Sequence, residues 1–174
     1  MEHASLVVDW RERCESTRTQ IEDRGLRRLI GYQLRRAEMA MQQRFSLAIG
    51  VPFQLRQVEF FALSLLAENP AVTHKQISEA LAIAPSNMVG IMSGLKARDL
   101  VARRANPADG RSLFWVLTEA GRDLVQRAGA AVARMEEDAL GRAEPERDEL
   151  VRALNEVWAG DPLRPAYVRD MSAG

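Results

Sequence analysis

Residues 73–118 constrain the fold more than any other stretch, because two short helical patterns there precede two strand-like runs. Thr73 has the chemistry of a helix N-cap, and Gln76 follows it at capping-box spacing. Pro85 suits the first turn of a second helix, where its missing N–H costs nothing. The apolar residues of that second helix recur at helical spacing, as Met88, Ile91, Met92 and Leu95.

The two strand-like runs flank a polar turn. Residues 101–104 and 112–117 enclose residues 106–111, whose sequence Asn-Pro-Ala-Asp-Gly-Arg is rich in turn formers. In the second run, Leu113, Trp115 and Leu117 alternate with Phe114 and Val116, as in a two-faced strand. The whole stretch therefore predicts a winged helix-turn-helix, within a fold that is mainly α with a small β-hairpin.

Small polar residues open the second helix. Base edges in the major groove are met by short donors and acceptors, and a helix N-terminus favours phosphate. Ser86 and Asn87 are therefore candidates for DNA contact, although both are also ordinary first-turn residues. Residues 84–111 carry five basic side chains and two acidic ones. This surplus of positive charge indicates an anionic partner.

Residues 73–122 resemble the DNA-binding lobe of the MarR family of transcriptional regulators. An Asp-x-Arg turn followed at this distance by Leu-Thr-x-x-Gly-Arg is a specific signal, whereas a helix-turn-helix alone would be weak. The matching pieces are Ser86-Asn87, the run from Gly94 to Val101 with Arg103-Arg104 after it, the turn from Asn106 to Arg111, and the run from Leu117 to Arg122.

The resemblance implies a homodimer that binds double-stranded DNA at a pseudo-palindromic operator, with a helix in the major groove and the wing in the minor groove. Arg111 would enter the minor groove and Asp109 would brace it. The alternative for the tip is a solvated hairpin with a surface ion pair, worth about 0–1 kcal/mol. The expected DNA contacts are Thr73, His74, Ser86, Asn87, Gly90, Lys96, Arg103, Arg104, Asp109 and Arg111.

Three positions depart from the family pattern. Many members have arginine where this chain has Gly90 and Gly94, so the helix is expected to contact fewer phosphates. Each glycine should also lower helix stability by about 1 kcal/mol. Asp99 stands where glycine is common, and aspartate tolerates the left-handed backbone that such a turn needs. We therefore expect the turn to be kept.

Long helical patterns flank this lobe. The first, at 20–49, is expected to end at Gly50-Val51-Pro52, and its apolar stripe needs a second subunit to cover it. Further helices are predicted at 54–68, at 119–140 after the N-cap Thr118, and at about 145–159. The domains expected are an N-terminal extension at 1–19 with an extra helix, dimerisation helices at 20–53 and 119–160, the winged helix-turn-helix lobe at 54–118, and a flexible tail at 161–174.

Composition bounds the function. The net charge is zero, yet residues 11–44 hold nine arginines against five acids, while residues 136–149 hold seven acids against two arginines. Two histidines and one cysteine, without clustered carboxylates, predict no enzyme, no cofactor and no metal site. The sequence contains no secretory signal and no transmembrane run, so a cytoplasmic protein without a membrane partner is expected.

Regulation by a small molecule is the expected mode of control. The family resemblance implies a repressor that an aromatic or phenolic effector releases from DNA, with apolar walls and one cation around the effector. One alternative is a redox-responsive regulator that uses Cys14, and another is a winged-helix module that binds protein. The candidate effector-binding residues are Tyr32, Arg36, Met39, Phe60 and Phe61.

Overall fold

A computed structural model describes residues 23–105, 113–141 and 144–159. The predicted extension at 1–19 with Cys14, the wing-tip residues Asp109 and Arg111, and the tail at 161–174 lie outside the described residues. The helices are α1 (Ile30–Phe45), α2 (Gln57–Glu68), α3 (His74–Ala80), α4 (Pro85–Ala97), α5 (Glu119–Leu140) and α6 (Glu144–Ala159), and the strands are β1 (Val72–Thr73), β2 (Val101–Ala105) and β3 (Leu113–Leu117).

The first helix begins later than predicted. α1 starts at Ile30, after a 3₁₀ turn at Leu26–Arg28 and an extended Leu29 with ψ 124°. The Asp23 carboxylate accepts hydrogen bonds from Tyr32 and Arg36 within α1. These bonds require the preceding chain to turn back toward the helix. The prediction of one continuous helix from residue 20 was therefore wrong.

The other end of this helix also differs from the prediction. Gly50 and Pro52 do not stop it, because a π-helical turn at Ser46–Gly50 leads into a further turn at Val51–Phe53. The helix ends only at Gln54, which has a left-handed backbone with φ 49°. A widened turn ahead of Pro52 is a common way to accommodate the N–H that proline lacks.

The small sheet is antiparallel, with strand order β1-β3-β2. β2 and β3 pair from Val101 with Leu117 to Ala105 with Leu113. β1 pairs with the side of β3 that faces away from β2, and Val72 lies opposite Trp115. The sequence predicted only two strands, because β1 is two residues long and runs directly into the cap of α3.

The winged helix-turn-helix lobe at 54–118 is called the reader lobe below. Its core is built from α2, α3, α4 and β3, together with α5. The predicted stripe of α4 is confirmed, since its four apolar residues are all buried. α2 places Phe60 and Leu63 in the core, but Phe61 is 44% exposed. α5 runs the full predicted length and places Leu124 and Ala128 in the same core.

The chain divides into two compact units, with the division after Met39 inside α1. The reader lobe and the C-terminal helices belong to the second unit. Among the described helices, none has an apolar stretch long enough to span a bilayer.

Candidate nucleic-acid interface

The first helix of the helix-turn-helix is fixed at its start by a reciprocal cap. The Thr73 hydroxyl accepts the Gln76 N–H at 3.3 Å, and the Gln76 side-chain oxygen accepts the Thr73 N–H at 2.9 Å. This confirms the capping box predicted from the spacing. The turn that follows α3 depends on Ala82, which has φ 50° although it is not glycine.

The second helix, α4, separates a buried side from an outward side. Met88 and Met92 are fully buried, and Ile91 and Leu95 lie beside them. The outward side starts with Ser86 and Asn87 and is exposed along its whole length. A Cβ atom added at Gly90 or Gly94 would meet nothing within 4 Å. The outer surface of α4 is therefore open enough to approach another molecule closely.

His74 links the two helices of this motif. Its Nε2 lies 3.2 Å from the Pro85 carbonyl oxygen. A carbonyl can only accept, so the imidazole donates this hydrogen bond from Nε2. The ring thereby holds the first residue of α4 against the start of α3. His74, which was predicted to contact DNA, thus has a structural role that the sequence did not indicate, whereas the capping role of Thr73 was predicted.

The stem of the wing presents its two arginines on opposite faces. Arg103 pairs with Trp115 across the strands, and its guanidinium carbon lies 4.7 Å from the centroid of the Trp115 ring. Such a stack on a buried indole restricts the arginine side chain. Arg104 pairs across from Phe114 and points to the other face. The predicted DNA contacts at Asp109 and Arg111 lie beyond these stems, outside the described residues.

The segment from Leu117 to Arg122 ties the wing to α5. Thr118 caps α5 by accepting the Gly121 N–H at 3.0 Å, and its hydroxyl donates to the Asp99 carbonyl at 2.6 Å. A Cβ atom at Gly121 would overlap the Leu100 carbonyl oxygen. Asp99 has φ 55°, the left-handed backbone predicted for it. The Leu-Thr-x-x-Gly-Arg motif is thus a tight junction between wing and helix.

A buried carboxylate holds the C-terminal end of α4. Glu59 is only 7% exposed, and its carboxylate accepts two hydrogen bonds from the Arg56 guanidinium, at 2.7 and 3.0 Å. This ion pair raises the pKa of Arg56 above its ordinary value, mainly through the hydrogen bond to Glu59. The Arg98 guanidinium lies 3.7 Å from the same carboxylate and donates to the Phe53 carbonyl at 3.5 Å.

Sequence reasoning missed this network. The one available signal was Glu59 at the third position of α2, three residues after Arg56, where glutamate commonly bonds back to the N-cap N–H. That bond is present, at 2.9 Å. The contribution of Arg98 comes from a distant helix and had no signal in the sequence.

Residues 49–112 match a family model described as the MarR family. The HTH-type transcriptional repressor Rv2887 of Mycobacterium tuberculosis is 30% identical over 129 residues, which cover 74% of this chain and 92% of that protein. The chain belongs to the MarR family. Proteins of this family are transcriptional regulators and not enzymes, as the sequence analysis expected.

Two solved MarR structures have the same fold. The transcriptional repressor CouR, bound to a 23-mer DNA duplex, is 32% identical with a TM-score of 0.73, over 80% of this chain and 99% of that one. BpsR of Bordetella bronchiseptica, whose DNA binding is regulated by 6-hydroxynicotinic acid, is 26% identical with a TM-score of 0.70, over 83% of this chain and 100% of that one. These likenesses confirm the predicted winged-helix fold.

Six of the predicted DNA-contacting residues of this MarR protein are exposed on two elements that contact each other. Ser86, Asn87, Gly90 and Lys96 are all exposed on α4. Arg103 and Arg104 are exposed on β2, which packs against α4. Their contact with DNA remains a prediction.

The five candidate effector residues have different surroundings. Tyr32 and Arg36 share the Asp23 carboxylate, at 3.0 and 3.1 Å, and Met39 is 56% exposed. Phe60 packs in the core with its ring centroid 5.8 Å from that of Phe45, whereas Phe61 is exposed. Their grouping into one pocket remains a prediction.

Proposed function

We propose that this protein is a dimeric, sequence-specific DNA-binding repressor that a small aromatic acid releases from its operator. One observation supports the DNA-binding part above all. The apolar side of α4 is buried in its own lobe, and its other side exposes Ser86, Asn87 and Gly90. The outer side of such a helix contributes little to the packing of its own lobe, so it is available to bind another molecule. The cytoplasmic location expected from the sequence is part of this proposal.

Dimerisation has its own support in exposed apolar side chains. Ile30 is 74% exposed and Leu34 37% exposed on α1, and Leu150 and Leu154 are 36% and 42% exposed on α6. A single chain leaves these stripes in water, and a second copy would cover them. Two copies would present two α4 helices to successive major grooves, about 34–36 Å apart.

The wing provides the test of DNA binding. A duplex enriched from a random library by the full chain is titrated by fluorescence anisotropy at several salt concentrations. Arg111→Ala should weaken binding by about 1–3 kcal/mol. It should also reduce the slope of log K against log salt concentration by about one, because one fewer counterion is released. Arg127→Ala is the matched control, because Arg127 lies on α5 and pairs with Asp123 at 2.9 Å.

Three outcomes would count against this assignment. Equal affinity of the Arg111→Ala variant and the wild-type chain would remove the wing from the interface. Failure of the chain to enrich any duplex would overturn the proposed function. Binding that does not fall with added salt would favour a protein-interaction module instead.

The effector proposal is supported by two hydrogen-bond donors that already bind a carboxylate of the same chain, that of Asp23. The Tyr32 hydroxyl and the Arg36 guanidinium both donate to Asp23, so this pair is arranged around an acidic group. Two donors of this kind match the carboxylate of an aromatic acid, and the relative BpsR responds to one. We therefore assign the effector carboxylate to Arg36 and Tyr32, in exchange with Asp23.

A thermal-shift series with 6-hydroxynicotinic acid and salicylic acid tests this assignment. Binding should raise the Tm of the wild-type chain, and Arg36→Gln should abolish the rise. Arg35→Gln is the control, because Arg35 pairs with Glu38 on the exposed side of the same helix. A rise that persists in Arg36→Gln would contradict the assignment.

A further inference from the structure

The outward side of α4 has an unusual composition for a surface that meets DNA. Successive residues of a helix are about 100° apart. By that spacing, the residues opposite the buried stripe are Ser86, Gly90, Ser93 and Ala97, all of them small. Within Pro85–Ala97, all of which the structure describes, the basic residue is Lys96, in the last turn. The first two turns of α4 therefore offer no cation to a guanine edge.

Val89 is the exception on this side. It is 53% exposed, and it is the one branched apolar side chain that α4 does not bury. Its neighbours along the helix surface are Ser86, three residues before it, and Ser93, four residues after it, and these three residues are called the ridge below. Both neighbours are short, and Gly90 beside it leaves open space. The valine methyl groups therefore project beyond the side chains around them.

We infer that Val89 is a specificity-determining residue that contacts the 5-methyl group of a thymine in the major groove. This inference rests on the proposed function and adds the class of base that the helix selects. The thymine methyl is the apolar group that the four bases present in that groove. A valine against it loses no hydrogen bond, whereas a valine against the amino group of cytosine or adenine would leave a donor unpaired.

The geometry of the ridge gives the contact a place. Val89 lies about 4.5 Å along the helix axis from Ser86, somewhat more than one base-pair step of about 3.4 Å. Ser86 and Ser93 can each donate or accept, so they tolerate several bases. The side chain of valine is stiff at χ1, so little freedom is lost when it is held against a base. On this ridge Val89 is thus the residue that discriminates most strongly by type of base.

A lone exposed valine is also an ordinary feature of protein surfaces. The experiment must therefore detect one methyl group on each partner. Deoxyuridine is thymidine without the 5-methyl group and keeps the base pair. Replacing each thymine of an enriched duplex by deoxyuridine, one at a time, removes one candidate contact per duplex. Val89→Ala removes the other partner of the same contact.

The affinities of the wild-type chain and the Val89→Ala variant are compared on this duplex series by anisotropy. At one thymine per half-site, loss of the methyl should weaken wild-type binding about fourfold, as expected for one buried methyl group. The same replacement should leave the affinity of Val89→Ala within about 1.5-fold, because the contact is already absent. Val51→Ala is the matched control, with a valine that is 71% exposed outside α4, and it should keep the wild-type sensitivity.

Each outcome decides the inference. A Val89→Ala variant that remains fourfold sensitive at the same thymine would overturn it, and so would a wild-type chain that is insensitive at every thymine. An enriched duplex with either result leaves DNA binding intact and removes only the role of Val89. If no duplex is enriched, both the proposed function and this inference fail. Circular dichroism of Val89→Ala should match the wild type, because the side chain is exposed.

Discussion

α4 and α1 are both amphipathic helices, and the chain treats their apolar sides in opposite ways. In α4 the apolar side is closed off, with Met88 and Met92 at 0% exposure. In α1 the apolar side is open at the start, where Ile30 is 74% and Leu34 37% exposed, and is buried only at Phe45. The same sequence pattern therefore has two different consequences.

The difference shows where one chain is sufficient and where it is not. The stripe of α4 is buried in the core, and α4 packs against α3 and β2, so the position of this helix is fixed within a single copy. The stripe of α1 lacks such cover among the described residues and needs another surface. Proteins of the MarR family are dimeric, and in the proposed dimer a second copy would provide that surface.

The strongest test of this contrast compares Met92, a buried side chain of the α4 stripe, with Ile30, an exposed side chain of the α1 stripe. Met92→Ala should lower the free energy of unfolding by about 2–5 kcal/mol, because it leaves a cavity in a closed core. Ile30→Ala should cost much less when the chain is dilute, and its cost should grow with protein concentration as dimers form. Chemical denaturation at two protein concentrations measures both changes. Equal, concentration-independent losses in the two variants would break the comparison.

A smaller effect is expected where the wing joins α5. Gly121→Ala forces a Cβ atom onto the Leu100 carbonyl oxygen. It should lower the free energy of unfolding by about 3 kcal/mol or more, the upper end of the range that is typical of overpacking. Gly129→Ala in the same helix is the control, because a Cβ there meets nothing within 4 Å. It should stabilise the chain by up to about 1 kcal/mol. Similar Tm values for the two variants would show that the junction can relax.

Much of the reader lobe could be predicted because its signals are local. The cap at Thr73, the stripe of α4 and the left-handed Asp99 each depend on residues close in sequence, and the structure has all three. β1 had no such signal, because a two-residue strand becomes visible only through its pairing with β3. The π-helical turn before Pro52 was missed for a related reason, since proline alone indicates a helix end.

The candidate site divides in the same way. Ser86 and Asn87 were predictable because a helix start favours small polar residues. The bond from His74 to Pro85, the stack of Arg103 on Trp115 and the approach of Arg98 to Glu59 join residues that are distant in sequence. Periodicity does not contain such contacts. They explain how the elements of the candidate interface are held in place, whereas the sequence indicated only which residues those elements would expose.

A finer comparison uses one glycine from each helix. Gly94 in α4 and Gly31 in α1 both have open space where a Cβ would lie. Alanine at either position should raise the free energy of unfolding by up to about 1 kcal/mol, with the smaller gain at Gly31 in the first turn. Only Gly94→Ala should also change the affinity for an enriched duplex, because only α4 is proposed to face DNA. A change in DNA affinity from Gly31→Ala alone would reverse the assignment of the two helices.

The smallest expected effect concerns Asp23, just before α1, whose carboxylate occupies the position proposed for the effector carboxylate. The hydrogen bond from Arg27, then the hydrogen bond from Tyr32 and the positive charges of Arg27 and Arg36, lower the pKa of the Asp23 carboxyl below its ordinary value of 3.8. A carboxyl whose pKa is lowered by folding stabilises the folded state at pH values above its unfolded pKa. This contribution is lost as the pH falls through its folded pKa. An NMR titration should therefore give a midpoint below 3.8 for Asp23 and a coincident change at the Tyr32 ring.

Asp23→Asn should abolish the change at Tyr32 and leave the global Tm almost unaltered, because the contact is local and solvent screens it. Glu38→Gln is the control, since Glu38 is exposed and pairs with Arg35 on another side of α1. If Asp23→Asn lowered the global Tm as much as Met92→Ala does, the start of α1 would belong to the cooperative core of one chain. In that case its exposed apolar stripe would no longer distinguish it from α4.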